Sequence, residues 1–176
     1  LRKDGESFVA EKYFTKKRKI ATSVGASVEF FAAEFLKKYD VNPAQYEIVS
    51  MKPEDTPIAL ANGSVDGIAI YEPYASFATQ QTGRENVFEI KVPELYSEKI
   101  VLIAKPDWAS QHEEGVERFH RALAKAEVFI RANPEESQGI VSEFTKLEPE
   151  ILKNIWSIFT LELSLNNALL STMERE

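Results

Sequence analysis

The chain has 176 residues, 44% of them hydrophobic and 28% charged, with a net charge of −7 and an isoelectric point near 5.1. Such values describe one ordinary globular domain or two small lobes, and the acidic balance argues against a phosphate backbone, so no nucleic-acid partner is expected. No run approaches the ~20 consecutive apolar residues of a membrane span, and the absence of cysteine removes disulfides, thiolate metal sites and cysteine nucleophiles together. The chain opens at Leu1 rather than Met and carries no signal peptide, so an upstream segment is expected.

In chain order, the basic run Lys16–Lys19 reads as a solvated turn. Ile20–Val24 follows as a short buried strand. Gly25 ends it, and Ser27–Tyr39 reads as a helix with Phe30, Phe31, Ala33, Phe35 and Leu36 as its apolar positions. Ser23 or Ser27 would cap that helix, and Lys37 and Lys38 suit its carboxyl end. Tyr46–Met51 is a second strand, rich in β-branched residues at its centre. Pro53 with Glu54 and Asp55 opens a helix to about Ala61, which Asn62-Gly63 stops. Asp66–Tyr71 is a third strand, apolar after Asp66 as a central parallel strand requires. A helix follows Pro73 to about Gln81. Val87–Ile90 and Ile100–Ala104 read as two more strands.

From Lys105 the pattern changes. Val116, Phe119, Leu123, Ala126 and Ile130 recur at three- and four-residue steps, an amphipathic helix that Asn133-Pro134 ends. Glu135–Phe144, Glu148–Ile158 and Leu165–Met173 are three further helices. The first part therefore alternates strand and helix, which means an α/β fold with a parallel or mixed sheet flanked by helices. The second part is helical with no sheet of its own to cover. That surplus of apolar helix surface makes self-association an expectation.

The order of these motifs resembles the type II solute-binding proteins of ABC transporters, in the branch that takes sulfonates, taurine, nitrate and thiamine precursors. Lys19–Ser27 resembles the strand and Gly-Ser turn that opens their second lobe. Ala59–Ile68 is similar to their small-residue, Gly, Val-Asp segment. Tyr71-Glu72-Pro73-Tyr74 is similar to their Trp-Glu/Asp-Pro-Tyr turn, and Ile100–Trp108 resembles the strand leading back through the hinge. The resemblance runs from about Arg18 to about Leu170. It implies that residues 1–104 are the second α/β lobe, that residues 105–176 are helices returning to the first lobe, and that the amino-terminal part of that first lobe is missing from this chain. It also implies capture of a small organic or inorganic solute between two lobes, with an ABC permease as partner, and a periplasmic or extracellular, membrane-attached location. No cofactor and no enzymatic role follow from it. The family's pyrimidine-synthase members use a cysteine-rich motif and iron, which a chain without cysteine does not offer. A ligand-sensing domain of a membrane receptor would use the same binding physics.

Two segments carry the candidate ligand contacts. Ser23, Gly25, Ala26 and Ser27 pass from a strand into a helix, where free backbone N–H groups and a hydroxyl suit an anionic group; the plain alternative is an ordinary helix cap. Ala26 and Val28 lack the hydroxyls of a serine-rich anion site, and Glu29 adds a negative charge, which argues against a strongly anionic ligand. Tyr71, Glu72 and Tyr74 follow the third strand at its carboxyl end, where open α/β sheets place ligands. Tyr71 would lay a ring on the ligand, Glu72 would hold an amine and Tyr74 would donate its hydroxyl. The alternative gives Glu72 to a helix N-terminus and both rings to packing. Asp66 reads as a strand-entry or capping residue, and Trp108 and Trp156 as packing. His112 and His120, eight apart, lack metal-ligand spacing and read as surface residues.

Overall fold

The structure is a computed structural model that describes residues 1–164, 169, 171 and 174. The chain divides into two compact units, one of Leu1–Glu98 and one beginning at Lys99.

The first unit is built on a three-stranded parallel sheet in the order β2-β1-β3, with β1 at Arg18–Thr22, β2 at Tyr46–Ser50 and β3 at Gly67–Ile68. β1 pairs along its whole length with β2, from Arg18 opposite Tyr46 to Thr22 opposite Ser50, and β3 pairs at Ile20–Gly67 and Ala21–Ile68. Two further bonds lengthen the short β3 ladder, Asp66 N–H to Lys19 O at 2.8 Å and Ala69 N–H to Ala21 O at 2.9 Å. The strand register follows the two-residue alternation of an extended chain. Ile20, Tyr46 and Ile48 face one layer. It contains Leu36 of α2 (Ser27–Lys38) and the buried Ala10 and Tyr13 of α1 (Ala10–Tyr13). Ala21, Val49 and Ile68 face the other, made by Ala59 and Leu60 of α3 (Thr56–Ala61) and Ala78 of α4 (Tyr74–Thr82). The sheet is thus covered on both faces, as the apolar strands demand.

A partly buried polar network closes the amino end of the sheet. Asp66 accepts from Lys19 N–H at 2.8 Å through one carboxylate oxygen and meets Arg18 at 3.4 Å through the other. Its carbonyl takes the Tyr13 hydroxyl at 2.9 Å. Arg18 also pairs with Asp4 and lies over the Tyr13 ring, 4.1 Å from its centre. Asp66 is therefore the strand-entry residue that the sequence suggests.

Four strand assignments need correction, among them the third, which the sequence carries from Asp66 to Tyr71 and which is a strand only at Gly67–Ile68. The first strand ends at Thr22, and Val24 is 52% exposed, because the chain must turn at Gly25 (φ 81°) before α2 begins. Val87–Ile90 forms no strand: Val87 makes a single antiparallel bridge with Arg2, beside Leu1 N–H to Phe88 O at 3.0 Å and Phe88 N–H to Leu1 O at 2.7 Å. Ile100–Ala104 is not a strand either. Its β-branched run has the right propensity, yet among the described residues nothing offers it a ladder, and Ile100 and Ile103 stand 88% and 90% exposed. Propensity without a neighbouring strand leaves the backbone groups to water.

The second unit is helical: α5 at Pro106–Gln111, α6 at Glu113–Ala132, α7 at Pro134–Thr145 and α8 at Pro149–Ile155, with a 3-10 turn at Trp156–Ile158. α6 and α7 meet the expected bounds, with Asn133 between them and Pro134 in the first turn of α7. α5 went unread in the sequence, although Pro106 and Asp107 are suitable first-turn residues. None of the α6 side chains is buried; among the described residues, Leu152 and Ile155 of α8 are the buried apolar residues of this unit. The last helix expected, over Leu165–Met173, falls almost entirely outside the described residues.

Candidate functional site

Both candidate segments stand at the carboxyl edge of the sheet, one after β1 and the other after β3, which are hydrogen-bonded neighbours. The turn after β1 is closed by Ala26 N–H to Ser23 O at 3.2 Å. Its positive φ at Gly25 is the reason for glycine there, since a Cβ would meet no atom within 4 Å. Ser23 and Ser27 do not cap α2, contrary to the sequence reading: the N-cap is Ala26, with no side-chain bond. Ser23 instead donates its hydroxyl to Met51 O at 3.1 Å, tying the end of β1 to the end of β2. Ser27 donates to Glu98 Oε1 at 2.6 Å. The backbone donor at Gly25 is also engaged, with Glu29 Oε2 at 2.7 Å. The negative charge noted at Glu29 therefore sits on the very group that an anionic ligand would use, and it favours the N-terminal end of the α2 dipole.

The second segment is organised by the turn at Glu72-Pro73, whose peptide bond is cis. Tyr71 is 39% exposed and meets the Tyr74 ring edge-on, with centroids 5.8 Å apart; Tyr74 in turn packs on Phe77 at 6.2 Å. Tyr71 is thus the open ring of the pair and Tyr74 its support. Partial desolvation, followed by the neighbouring Tyr74, Glu98 and Glu54, raises the pKa of the Tyr71 phenol. Glu72 accepts from Ser76 N–H at 3.0 Å, a contact in the first turn of α4.

Glu98 joins the two halves, because it accepts from Ser27 and lies within electrostatic reach of Tyr71. Sequence reasoning missed it, as it missed Glu54. The available signal was limited to Pro93, which marks a turn, with Tyr96 and Glu98 two residues apart beyond it.

The Glu72 contact has a direct consequence. Glu72→Ala removes a first-turn acceptor and should lower stability by about 1 kcal/mol in the absence of any ligand, as read by urea denaturation. Unchanged stability would free Glu72 from this capping role.

The protein-family description "NMT1/THI5 like" matches residues 15–137. The chain is 27% identical over 140 residues to the putative aliphatic sulfonates-binding protein of Bacillus subtilis (strain 168), an alignment that covers 80% of this chain and 42% of that protein. It is 25% identical over 142 residues to the taurine-binding periplasmic protein of Escherichia coli (strain K12), covering 75% and 43% respectively. Among solved structures it is similar to the periplasmic aliphatic sulphonate binding protein SsuA from Escherichia coli, with a TM-score of 0.74 and 17% identity over 91% of this chain and 55% of that one. The chain thus spans about half the length of the proteins it matches, and the structural likeness supports the periplasmic-binding-protein type of α/β fold. With 15–137 covering most of the chain, the protein is a member of the NMT1/THI5-like family.

Proposed function

We propose that this chain is part of the solute-capture subunit of an ABC importer, acting in the periplasm or outside the cell while attached to the membrane, and delivering its solute to the permease. The observation that carries this reading is the meeting of the Ser23–Ser27 turn and the Tyr71–Tyr74 pair at the carboxyl edge of one parallel sheet, in a family whose similar members are named for binding aliphatic sulfonates and taurine. In this reading residues 1–104 are the second lobe and the helices from Lys105 belong with the first. The solute lies over Ser23, Gly25, Ala26 and Ser27, with the exposed face of Tyr71 against its apolar part and Tyr74 behind it. Glu72 shapes the turn, through its bond to Ser76, and reaches a solute amine only by giving up that bond.

The mechanism is closure of two lobes about a hinge, which screens the solute and offers the permease a closed form. A solute drives closure only by binding the closed form more tightly than the open one. The test is a thermal-shift screen of the full protein with aliphatic sulfonates, taurine, nitrate, aromatic acids and thiamine precursors. A true solute at about a hundred times its Kd should raise the melting temperature by roughly 5 °C or more, and Tyr71→Ala should remove most of that rise. No shift with any compound would overturn the reading.

Self-association belongs to the same proposal. Ile100, Leu102, Ile103 and Phe144 are 88%, 65%, 90% and 87% exposed, a run and a helix position of the kind that seeks cover. Light scattering at rising concentration should report particles larger than one chain, and the double change Leu102→Lys with Ile103→Lys should return them toward monomer size. A wild-type chain that stays monomeric would contradict this part.

A further inference from the structure

The stretch that ends the first unit does not wander over the surface; it runs along α2. Lys38 at the carboxyl end of that helix pairs with Glu94. Phe30 meets the Tyr96 ring at 5.5 Å and 63°. Ser27, the first residue of the helix, donates to Glu98 at 2.6 Å. Glu94 lies in the turn that Leu95 N–H closes on Val92 O at 2.9 Å, and Tyr96 and Glu98, two residues apart beyond that turn, both reach α2. Ser27, Phe30 and Lys38 lie on one face of the helix by its 3.6-residue period. The segment therefore lies antiparallel to α2, fastened at both ends and in the middle, and its last fastening falls on a candidate ligand hydroxyl.

We propose that residues 94–98 form a strap whose terminal contact, Glu98 on Ser27, is an autoinhibitory latch: a tethered carboxylate occupies the place where the anionic group of a solute would accept from Ser27, and an anionic solute binds by displacing it. This inference rests on the solute-binding reading of the site. Three consequences distinguish it from a mere surface contact. The latch filters solutes, since a weakly accepting group does not compete with a carboxylate at 2.6 Å. It penalises anions further, because Glu98 and Glu54 both act on Tyr71 and so lie near any solute stacked there. It also links occupancy to the strap, because release of Glu98 frees the residue immediately before the second unit begins at Lys99.

The experiment is calorimetric titration of taurine and of ethanesulfonate into the full protein, both lobes included, as wild type, Glu98→Ala, Ser27→Ala and the double variant. The latch requires Glu98→Ala to tighten ethanesulfonate binding about tenfold. It requires the gain to vanish when Ser27→Ala is added, because the freed hydroxyl is its source. Taurine, which carries an ammonium group beside its sulfonate, should gain less, since its cation loses an attractive carboxylate. Wild-type binding that Glu98→Ala leaves unchanged or weakens overturns the latch and leaves the solute reading standing. A gain that survives Ser27→Ala overturns it as well, by making the effect one of bulk charge. Binding of neither probe by any of the four proteins overturns the latch together with the sulfonate reading of the site.

Discussion

The first unit depends on the burial of β1 from both sides. It is the central strand, hydrogen-bonded to β2 along its length and to β3 at Ile20 and Ala21. Its side chains are the points at which two helical layers meet the sheet. Ala21 is fully buried against α3 and α4, and Ile20 is buried toward α1 and α2. An alanine at that position sets a thin spacing on one face, and a longer side chain would have to displace Leu60 or Ala78 from a close-packed layer. Everything that matters for function hangs from the carboxyl end of this strand. The turn at Gly25, the start of α2 and the alignment with Tyr71 across β3 are all fixed by where β1 stops.

The site that results is one in which negative charge comes from within. The helix start that could cradle an anion holds two carboxylates already, Glu29 on the Gly25 N–H and Glu98 on the Ser27 hydroxyl. These bonds satisfy donors that would otherwise face water, so they stabilise the ligand-free form. In the proposed capture role a solute has to do better than both intramolecular partners, and an intramolecular partner has the advantage of a high local concentration. Selectivity at such an edge comes as much from what must be displaced as from what is newly contacted.

Much of this was legible from the residues, and the failures have physical reasons. The helix from Ser27, the strand from Tyr46 and the long amphipathic helix around Leu123 were found because their signals are local: periodicity, flanking glycine or proline, and charges suited to the helix ends. Asp66 was recognisable because an acidic residue before an apolar run has few roles other than strand entry. The false strands at Val87–Ile90 and Ile100–Ala104 have the composition of strands, but a ladder is a non-local object and composition does not supply a neighbour. Ser23 and Ser27 resembled caps because serine at a helix start usually caps, whereas here distant partners, Met51 and Glu98, take the hydroxyls. Glu98 could not be placed by sequence spacing alone, since it is 71 residues from Ser27.

Gly67 gives the sheet a property of a different kind. A Cβ at this position would overlap the side chain of Leu1 and crowd that of Ile20, so the empty space on β3 is a socket for the first residue of the chain. Arg2 extends the same attachment, donating its backbone N–H to Asp66 O at 2.8 Å and its guanidinium to the carbonyls of Leu60 and Ala61 at 2.7 and 3.0 Å. Leu1 and Arg2 are thus a mechanical anchor: tension applied at Leu1 would be borne at once by β3, by Phe88 and by the end of α3, and would reach the sheet without first stretching a slack linker.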